Sequence, residues 1–545
     1  MTGGTDLLKK YARFVISIAI IMSVSAGCAQ NMEEPTGKAT AKEVIKDFRV
    51  RKALSLAVDR KMIVEEVTKG GEFPATGYVP PGVHDSKGND FREKAGDFGI
   101  NPMEADVEEA QRLLAEAGFP DGEGFPTIEI LYNTNDQQKF IAEAIQEMWK
   151  QNLNIDSTIN NQEWGVFMES RFQGNFEVAT GAWFGDYSDP MTFLDMFTSY
   201  SGNNVAFWQN EEFDQAIEES KTTTGAERDE KLYRAEELMM KDCIVMPLFY
   251  YTSPIMVQDR VSDWEYTSLG QWYFGEASTD DSMLVWNLSA DPKTVDPGYV
   301  SSKDGGHIVN NIFEGMMREI NGEYLPAMAE SYEISDDQMT YTFHLRDAAW
   351  SDGKPVTARD FEYAWKRAMS PEVASWYGYQ MFYIKGAMEY YEGTGSADEV
   401  GIEVIDDKTL KVELAGPTPY FLELTAFFTY MPLREDIVEQ DPEGWAMDPE
   451  LSVTNGPFIV SDYNMEHIIL KANPEYWNRD SVKLEEIEVL MIVDEHTQLT
   501  ALEAGEIDII ETVPNQEITR LSIEDDRFQI RPALGTYFYV FNLKE

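Results

Sequence analysis

The sequence predicts an α/β protein of several lobes. Three observations carry that reading. Segments with strand period and segments with helix period alternate along most of the chain. No segment recurs at a period of about 20–50 residues, which excludes solenoids and propellers. A content of 43% hydrophobic and 12% aromatic residues supplies a large core for 545 residues. At roughly 150 residues per domain, such a length corresponds to about three or four domain-sized units.

The first segment concerns location. Lys9, Lys10 and Arg13 precede the apolar run Phe14 to Val24. About eleven residues fall short of the ~20 that a spanning helix needs and suit the core of a signal peptide. The run ends in Ser25-Ala26-Gly27-Cys28, which resembles the lipobox of bacterial lipoproteins, where the cysteine is lipidated and becomes the mature N-terminus. Ser25 departs from the aliphatic residue usual there. Residues 1–28 are therefore expected to be a lipoprotein signal peptide, with plain secretion and a retained anchor as the other readings. Residues 29–47, polar and interrupted by Pro35 and Gly37, are expected to be a tether. No later segment approaches ~18 uninterrupted apolar residues. An extracytoplasmic protein held at the membrane by lipid is the expectation.

The body follows element by element. Asp47 to Lys69 carries apolar residues at helical spacing and closes at Gly70-Gly71, and Ala105 to Ala117 is amphipathic and stops at Gly118. Thr127 to Tyr132 alternates as a strand. Phe140, Ile141, Ala144, Ile145, Met148 and Trp149 mark one helix face, and Asn154 to Asn160 alternates again. Strand, helix and strand within ~35 residues form a βαβ unit, so a parallel pair is expected. Thr340 to Leu345 alternates, Ser351 to Pro355 is a turn, and Thr357 with Asp360 forms a capping box for a helix through Met369. Thr497 to Ala504 reads as a helix ended by Gly505, ahead of an apolar strand Ile507 to Ile510.

Charge and motifs exclude much chemistry. The chain holds 97 Asp and Glu against 44 Lys and Arg, a net charge of −53. That sign repels phosphate backbones, so no nucleic-acid partner is expected. Two cysteines rule out a disulfide scaffold, and the five histidines (His84, His307, His344, His467, His496) lie far apart, so no local metal motif exists. Phosphate loops, nucleophile elbows and zinc-protease helices are absent. No cofactor and no metal are expected. Cys243 lies in an apolar run and reads as a buried, inert thiol. With so many carboxylates, pairing alone does not argue for a glycosidase.

Aromatic clusters beside a few charges do stand out. Asn161-Gln-Glu-Trp164 precedes Arg171 and the run Gly181-Ala-Trp183-Phe-Gly-Asp186-Tyr187-Ser-Asp-Pro190; Trp376-Tyr377-Gly-Tyr379 and Thr536-Tyr537-Phe-Tyr539 repeat the theme. Any one of these aromatics, taken singly, is more often core packing. Asp186 is different. A carboxylate beside Gly185, flanked by Trp183 and Tyr187, is partly desolvated and costs free energy unless a cation or donors meet it.

Several strings resemble the extracytoplasmic oligopeptide-binding proteins of bacterial ABC importers, within solute-binding protein family 5. They are Val50-Arg-Lys-Ala-Leu-Ser-Leu-Ala-Val-Asp59, Leu131-Tyr-Asn-Thr134, Asn161-Gln-Glu-Trp164, Gly185-Asp-Tyr-Ser-Asp-Pro190, Trp350-Ser-Asp-Gly353 with Pro355-Val-Thr357, Val453-Thr-Asn-Gly456 and Leu502-Glu-Ala-Gly-Glu-Ile-Asp508. Together they cover residues 45 to 545. Their order is inverted: the part resembling the family's second half comes first, so the chain resembles a circularly permuted member whose usual ends meet near Gly275–Asp281.

The resemblance implies a two-lobed periplasmic-binding-protein-like fold (class II, cluster C) with an extra subdomain. Lobe two would span 48–253, lobe one 254–313 and 456–545, and the extra subdomain 314–455. Asp186 would pair with the peptide α-amine. Trp164, Trp183 and Tyr537 would line side-chain pockets, Arg171 would stand near the carboxyl end, and Tyr377 would reach in from the extra subdomain. Thr180 replaces a second arginine of some members, and Phe184 and Gly535 replace a disulfide pair. The implied partners are an oligopeptide, permease subunits with a separate ATPase, and the membrane through lipid on Cys28, with the protein a monomer and no catalysis. The new ends, near Phe48 and Asn542, imply that one of two crossings between the lobes is cut. Other solutes (a dipeptide, a signalling peptide, an oligosaccharide) and a surface glycoside hydrolase are the competing readings.

Overall fold

A computed structural model describes residues 39–545, apart from 289 and 465. The expected signal peptide, Cys28 and most of the tether lie outside the described residues.

Where one helix is predicted from Asp47 to Lys69, two form. α1 (Phe48–Leu56) starts where the Asp47 carboxylate accepts the Arg49 N–H, and Asp59 then caps a short helix by accepting the Met62 N–H at 2.9 Å. An aspartate side chain that takes a backbone donor opens a new helix rather than continuing the old one. α2 (Val107–Glu116) is capped in the same way by Asp106. β1 (Ile128–Asn133), α3 (Asp136–Leu153) and β2 (Ser157–Gln162) make the expected βαβ unit, with β1 and β2 parallel. The buried stripe of α3 is Ile141, Ala142, Ile145, Met148 and Trp149; Phe140, expected on it, lies one step off at its edge and is exposed.

α4 (Trp164–Gln173) leads into β3 (Val178–Phe184), and α5 (Gly225–Asp242) into the long β4 (Val245–Val257). β5 (Met283–Asn287) and α6 (Lys303–Ile312) follow. A small antiparallel sheet then forms from β6 (Ala329–Ile334), β7 (Thr340–Leu345), β8 (Ile402–Asp406) and β9 (Thr409–Glu413), in the order β6-β7-β9-β8. α7 (Ala358–Ala368) buries Phe361, Ala364, Trp365 and Ala368, and the predicted capping box holds its start, Thr357 donating to Asp360 Oδ2 at 2.8 Å. β10 (Phe458–Tyr463), β11 (His467–Ala472), β12 (Glu486–Leu490), β13 (Ile509–Ile510) and β14 (Phe528–Phe541) complete the main mixed sheet. Its order is β10-β11-β12-β5-β13-β4-β14-β3-β1-β2, and Phe73–Pro74 adds to β4.

β4 and β14 are its spine. They pair antiparallel from Phe528 opposite Met256 to Val540 opposite Val245, with the register shifting between Pro532 and Thr536. At one end Met256 and Phe528 enter a core with Leu499, Leu502 and Leu521. At the other, Met246, Leu248, Phe249, Tyr537, Tyr539 and Phe541 enter a core with α1 and α3. Both strands thus run unbroken from one core to the other. This corrects the expectation of a cut crossing: β14 completes its crossing before Asn542. Asn542 then seats on the far side, its amide donating to the carbonyls of Gly174 and Phe176 at 2.9 and 2.7 Å.

Two buried arginines fasten the first helices to the end of α5 and to β4. Arg51 donates to the carbonyls of Ile45, Lys46, Asp242 and Cys243. Arg60, wholly buried, donates to the carbonyls of Pro247, Ser55 and Val58 and to Ser55 Oγ at 2.7–3.2 Å. Burial pulls its pKa down to about 10, with nearby Cys243, Tyr250 and Asp59 partly opposing. Arg60→Met leaves these acceptors without their donor, and the expected loss in urea unfolding is about 2–4 kcal/mol. A loss below ~1 kcal/mol would mean that apolar packing, not this network, holds the helices.

Candidate functional site

The site grows from the C-terminal half of β3. Its neighbour β14 pairs with it from Val178 opposite Phe541 to Phe184 opposite Gly535. Two glycines permit close approach there. Gly185 N–H donates to Leu534 O at 2.7 Å, and a Cβ on Gly181 would stand 2.8 Å from the Phe538 ring and 3.3 Å from Arg171 Nη2. Between this strand and α4 lies a cavity of about 340 Å³. It is lined by Trp164, Arg171, Thr180, Trp183 and Tyr537, with Gln138 and Asn133 at its polar wall.

The four predicted residues in this cavity sit in different environments. Trp164, at the first turn of α4, is 58% exposed and offers its face to a ligand. Trp183 is half-buried and fixed, its indole N–H donating to Thr192 O at 2.7 Å. Tyr537 is buried, stacks on Phe249 at 4.7 Å and donates its hydroxyl to Gln138. Arg171 is buried without a carboxylate: among the described residues no acid lies within ion-pair distance, and its Nε has no partner. Its guanidinium meets only Met168 Sδ at 3.9 Å and the Phe167 ring at 5.5 Å. Burial lowers its pKa to about 10. A cation held in this way is short of one anion.

Asp186 lies just past β3 and is the opposite case. Its backbone N–H donates to Thr192 Oγ1 at 3.0 Å, and its carboxylate accepts the Tyr379 hydroxyl at 2.8 Å. No cation among the described residues pairs with it. Burial raises its pKa, with the Tyr379 hydrogen bond opposing. Nearby Asp195 is pushed to about 7, chiefly by burial, with the Asp186 and Asp189 charges adding. The arrangement is an acid short of one cation.

The structure differs from the sequence reading in two places here. Tyr187, expected to flank Asp186, turns the other way into the core and stacks on Tyr420 at 4.4 Å. Tyr377 packs on Phe427 and Phe428 at 5.2 and 5.3 Å and feels the Asp186 charge, while Tyr379, two residues on and not singled out in the sequence, makes the hydrogen bond. Thr192 and Gln138 carried no sequence signal. Where the family resemblance implied a missing disulfide, the Phe184 ring covers Gly535, and a Cβ there would meet it at 2.7 Å.

The aromatic cavity with its unpaired Arg171, and the unpaired Asp186 three residues beyond Trp183 of its wall, make up the candidate site, and comparison gives its class. The model of the bacterial extracellular solute-binding proteins, family 5 (middle), matches residues 25–205 and 323–545, and the chain belongs to that family. The fold is accordingly the α/β, two-lobed periplasmic-binding-protein-like one, and the family's role is capture of a solute without catalysis. The oligopeptide-binding protein OppA of Bacillus subtilis is 41% identical over 278 residues, 49% of this chain and 51% of that protein. The dipeptide-binding protein DppE of the same organism is 34% identical over 269 residues, 49% of each. A solved structure of Listeria monocytogenes OppA bound to peptide is 35% identical, with 42% of this chain and 45% of that one covered and a TM-score of 0.41. The chain spans about half the length of the curated relatives it matches.

Unpaired buried charges cost stability until a ligand arrives. A carboxyl whose folded pKa is raised binds its proton more tightly folded than unfolded, so ligand-free stability falls as pH rises through the ordinary carboxylate range. Asp186→Asn and Arg171→Met are therefore expected to raise the ligand-free melting temperature near pH 7, and the gain from Asp186→Asn to fade toward pH 4. Calorimetry across that range checks it; a lowered melting temperature in both variants would make these residues structural.

Proposed function

We propose that this protein captures oligopeptides between two lobes and delivers them to an ABC permease with a separate ATPase. The observation that carries the reading is the pair of opposite charges without ion-pair partners among the described residues: Arg171 in the wall of the Trp183 cavity, and Asp186 three residues beyond Trp183. A peptide is a zwitterion with a backbone common to all sequences. Asp186 takes the α-amine, Arg171 faces the carboxyl end, and Trp164, Trp183 and Tyr537 line roomy side-chain pockets. Gly181, against Arg171, precedes Asp186 by five residues, and at ~3.3 Å per residue the backbone between them spans about 16 Å at most. That span suits an extended peptide of roughly three to five residues.

In this reading lobe two is 48–253, lobe one 254–313 with 456–545, and the extra subdomain, which supplies Tyr379 and Tyr377, is 314–455. β4 and β14 act together as the hinge. The inverted order of the family strings supports a circular permutation whose former ends meet near Gly275–Asp281. Cys28 is the lipidated residue, and the protein works as an extracytoplasmic, membrane-tethered monomer. A dipeptide or signalling peptide would use the same two charges; an oligosaccharide would leave both unmatched.

Titration calorimetry with a free tripeptide, its N-acetyl form and its C-amide tests the reading. Removing the ammonium strands a buried carboxylate, and since breaking one partner of such a pair costs about 3–5 kcal/mol, acetylation is expected to weaken binding at least ~100-fold. Amidation is expected to weaken it about tenfold. Equal binding of free and acetylated peptides would overturn the assignment. In cells, Cys28→Ser is expected to move the protein from the membrane fraction to the soluble extracytoplasmic fraction, and persistence in the membrane would reveal a retained helix.

A further inference from the structure

Asp186 is held by a turn far from it in sequence. Gly378–Met381 forms one 3₁₀ turn, and two of its side chains reach this residue. The Tyr379 hydroxyl donates to Asp186 Oδ1 at 2.8 Å, and Gln380 Nε2 donates to the Asp186 carbonyl at 3.3 Å. With its N–H on Thr192, Asp186 is fixed at its amide, its carbonyl and one carboxylate oxygen. Among the described residues, Oδ2 takes no donor.

The turn is itself tied down. Gly378 packs so closely on Tyr391 that a Cβ there would stand 2.7 Å from that ring. Tyr430 donates its hydroxyl to the Gln380 carbonyl at 2.7 Å, and Trp365 of α7 donates its indole N–H to the Tyr430 carbonyl at 2.7 Å. The residue after Asp186 is gripped as well: the Tyr187 ring meets Tyr383 edge-on at 6.4 Å and stacks on Tyr420. A donor on so fixed a mount has little freedom to lose, and that is what orienting a binding group requires.

Packing does not account for Tyr379. Its ring is 40% exposed and lies beside Tyr377 at 6.1 Å, so the hydroxyl is the part with a committed partner. Burial raises the Asp186 pKa, and the Tyr379 hydrogen bond opposes that rise. Burial and the Asp186 charge in turn push the phenol well up, which keeps it a donor. The other titratable groups that feel the Asp186 charge are Asp195, Tyr377 and Tyr383, and none is a cation. Lys221 and Asp189 act on Asp195.

We propose that Tyr379 is a positioning residue of the amine site: it holds one oxygen of Asp186 so that the other is presented to the α-ammonium of a peptide. The proposal rests on the peptide reading above and adds to it a residue that the family resemblance did not name. Its consequence has a definite sign. A hydrogen bond to the ionised form lowers a carboxyl pKa. Without the hydroxyl, Asp186 holds its proton more tightly, and an ammonium must compete with that proton up to higher pH.

The test is titration calorimetry of Ala-Ala-Ala and its N-acetyl form on the full chain and on Tyr379→Phe. It runs from about pH 4.5 to about pH 7, where the peptide amine stays charged and its carboxyl ionised. The ratio of the two affinities reads the contact between Asp186 and the ammonium. In the parent this ratio is expected to fall toward acid. In Tyr379→Phe the fall is expected about one pH unit higher, leaving the ratio about tenfold below the parent's on the acid side and less than about threefold below it at pH 7. A tyrosine with only a structural role would weaken both peptides alike and leave the midpoint in place. Asp195 titrates in the same range, so both chains are also measured with Asp195→Asn, and the shift is expected to persist. An unshifted midpoint, or a parent ratio that stays above one and does not change with pH, overturns the positioning role and leaves the peptide reading standing. A shift that disappears with Asp195→Asn overturns it too. If the parent binds neither peptide, or both equally, the peptide reading falls and the proposal with it. Should Asp195→Asn fail to fold, the profiles of the parent and Tyr379→Phe decide alone.

Discussion

Everything in this molecule hangs on the pairing of β4 with β14. Each strand threads two hydrophobic cores, with Met256 and Phe528 in one and Phe249 and Tyr537 in the other. A single strand joining two cores could twist freely; two hydrogen-bonded strands resist twist and leave bending as the soft motion. The bend has an obvious place. Between Pro532 and Thr536 the register shifts, and Pro532 has no N–H to give the ladder. Leu534, in that interval, is also the residue whose carbonyl takes the Gly185 N–H. The compliant part of the spine therefore touches the loop that carries Asp186.

Buried charge is treated in two ways. Arg228 with Asp189, Arg92 with Glu236 and Arg367 with Asp296 are buried pairs, each at 2.5–2.8 Å. These are neutral as units and serve the fold. Asp186 and Arg171 are left unmatched at the cavity instead. The chain has 97 acidic residues against 44 basic ones, so cations are outnumbered about two to one and not every acid can have a partner. The charge balance of the whole chain thus helps to keep the acid free for a ligand.

The sequence made some of this legible and hid the rest for physical reasons. The βαβ unit, the Thr357–Asp360 capping box and the β7 strand were readable because each is a local pattern of period or cap. The Asp47–Thr68 break was not, since two aspartate caps decide it against a continuous apolar period. Asp186 was readable from its glycine and aromatic neighbours, but Tyr187 misled: the chain bends after Phe184, and the Tyr187 ring joins the core against Tyr420. That Tyr379 is the residue bonded to Asp186 turns on one helical step in Gly378–Met381, which no periodicity specifies. Thr192 and Gln138 become visible only when distant segments are packed together. The uncut crossing has the same origin, because whether β14 completes its passage depends on which residues of β3 and β4 it meets.

The unmatched charges also bear on motion. A ligand shifts an open–closed equilibrium only by the difference in its affinity for the two states. On the proposed peptide reading, the amine and carboxylate of a zwitterion would meet Asp186 and Arg171 away from water in the closed form, where the interaction is strongest. In an open form the same groups would be more hydrated and the gain would shrink. A solute lacking either charge would relieve only part of the desolvation cost, so it would bind the open form nearly as well and close the lobes less. Selection for ligands and the signal of occupancy would then arise from one term, the relief of two unmatched charges, and a cavity wide enough to tolerate many side chains could still distinguish a filled protein from an empty one.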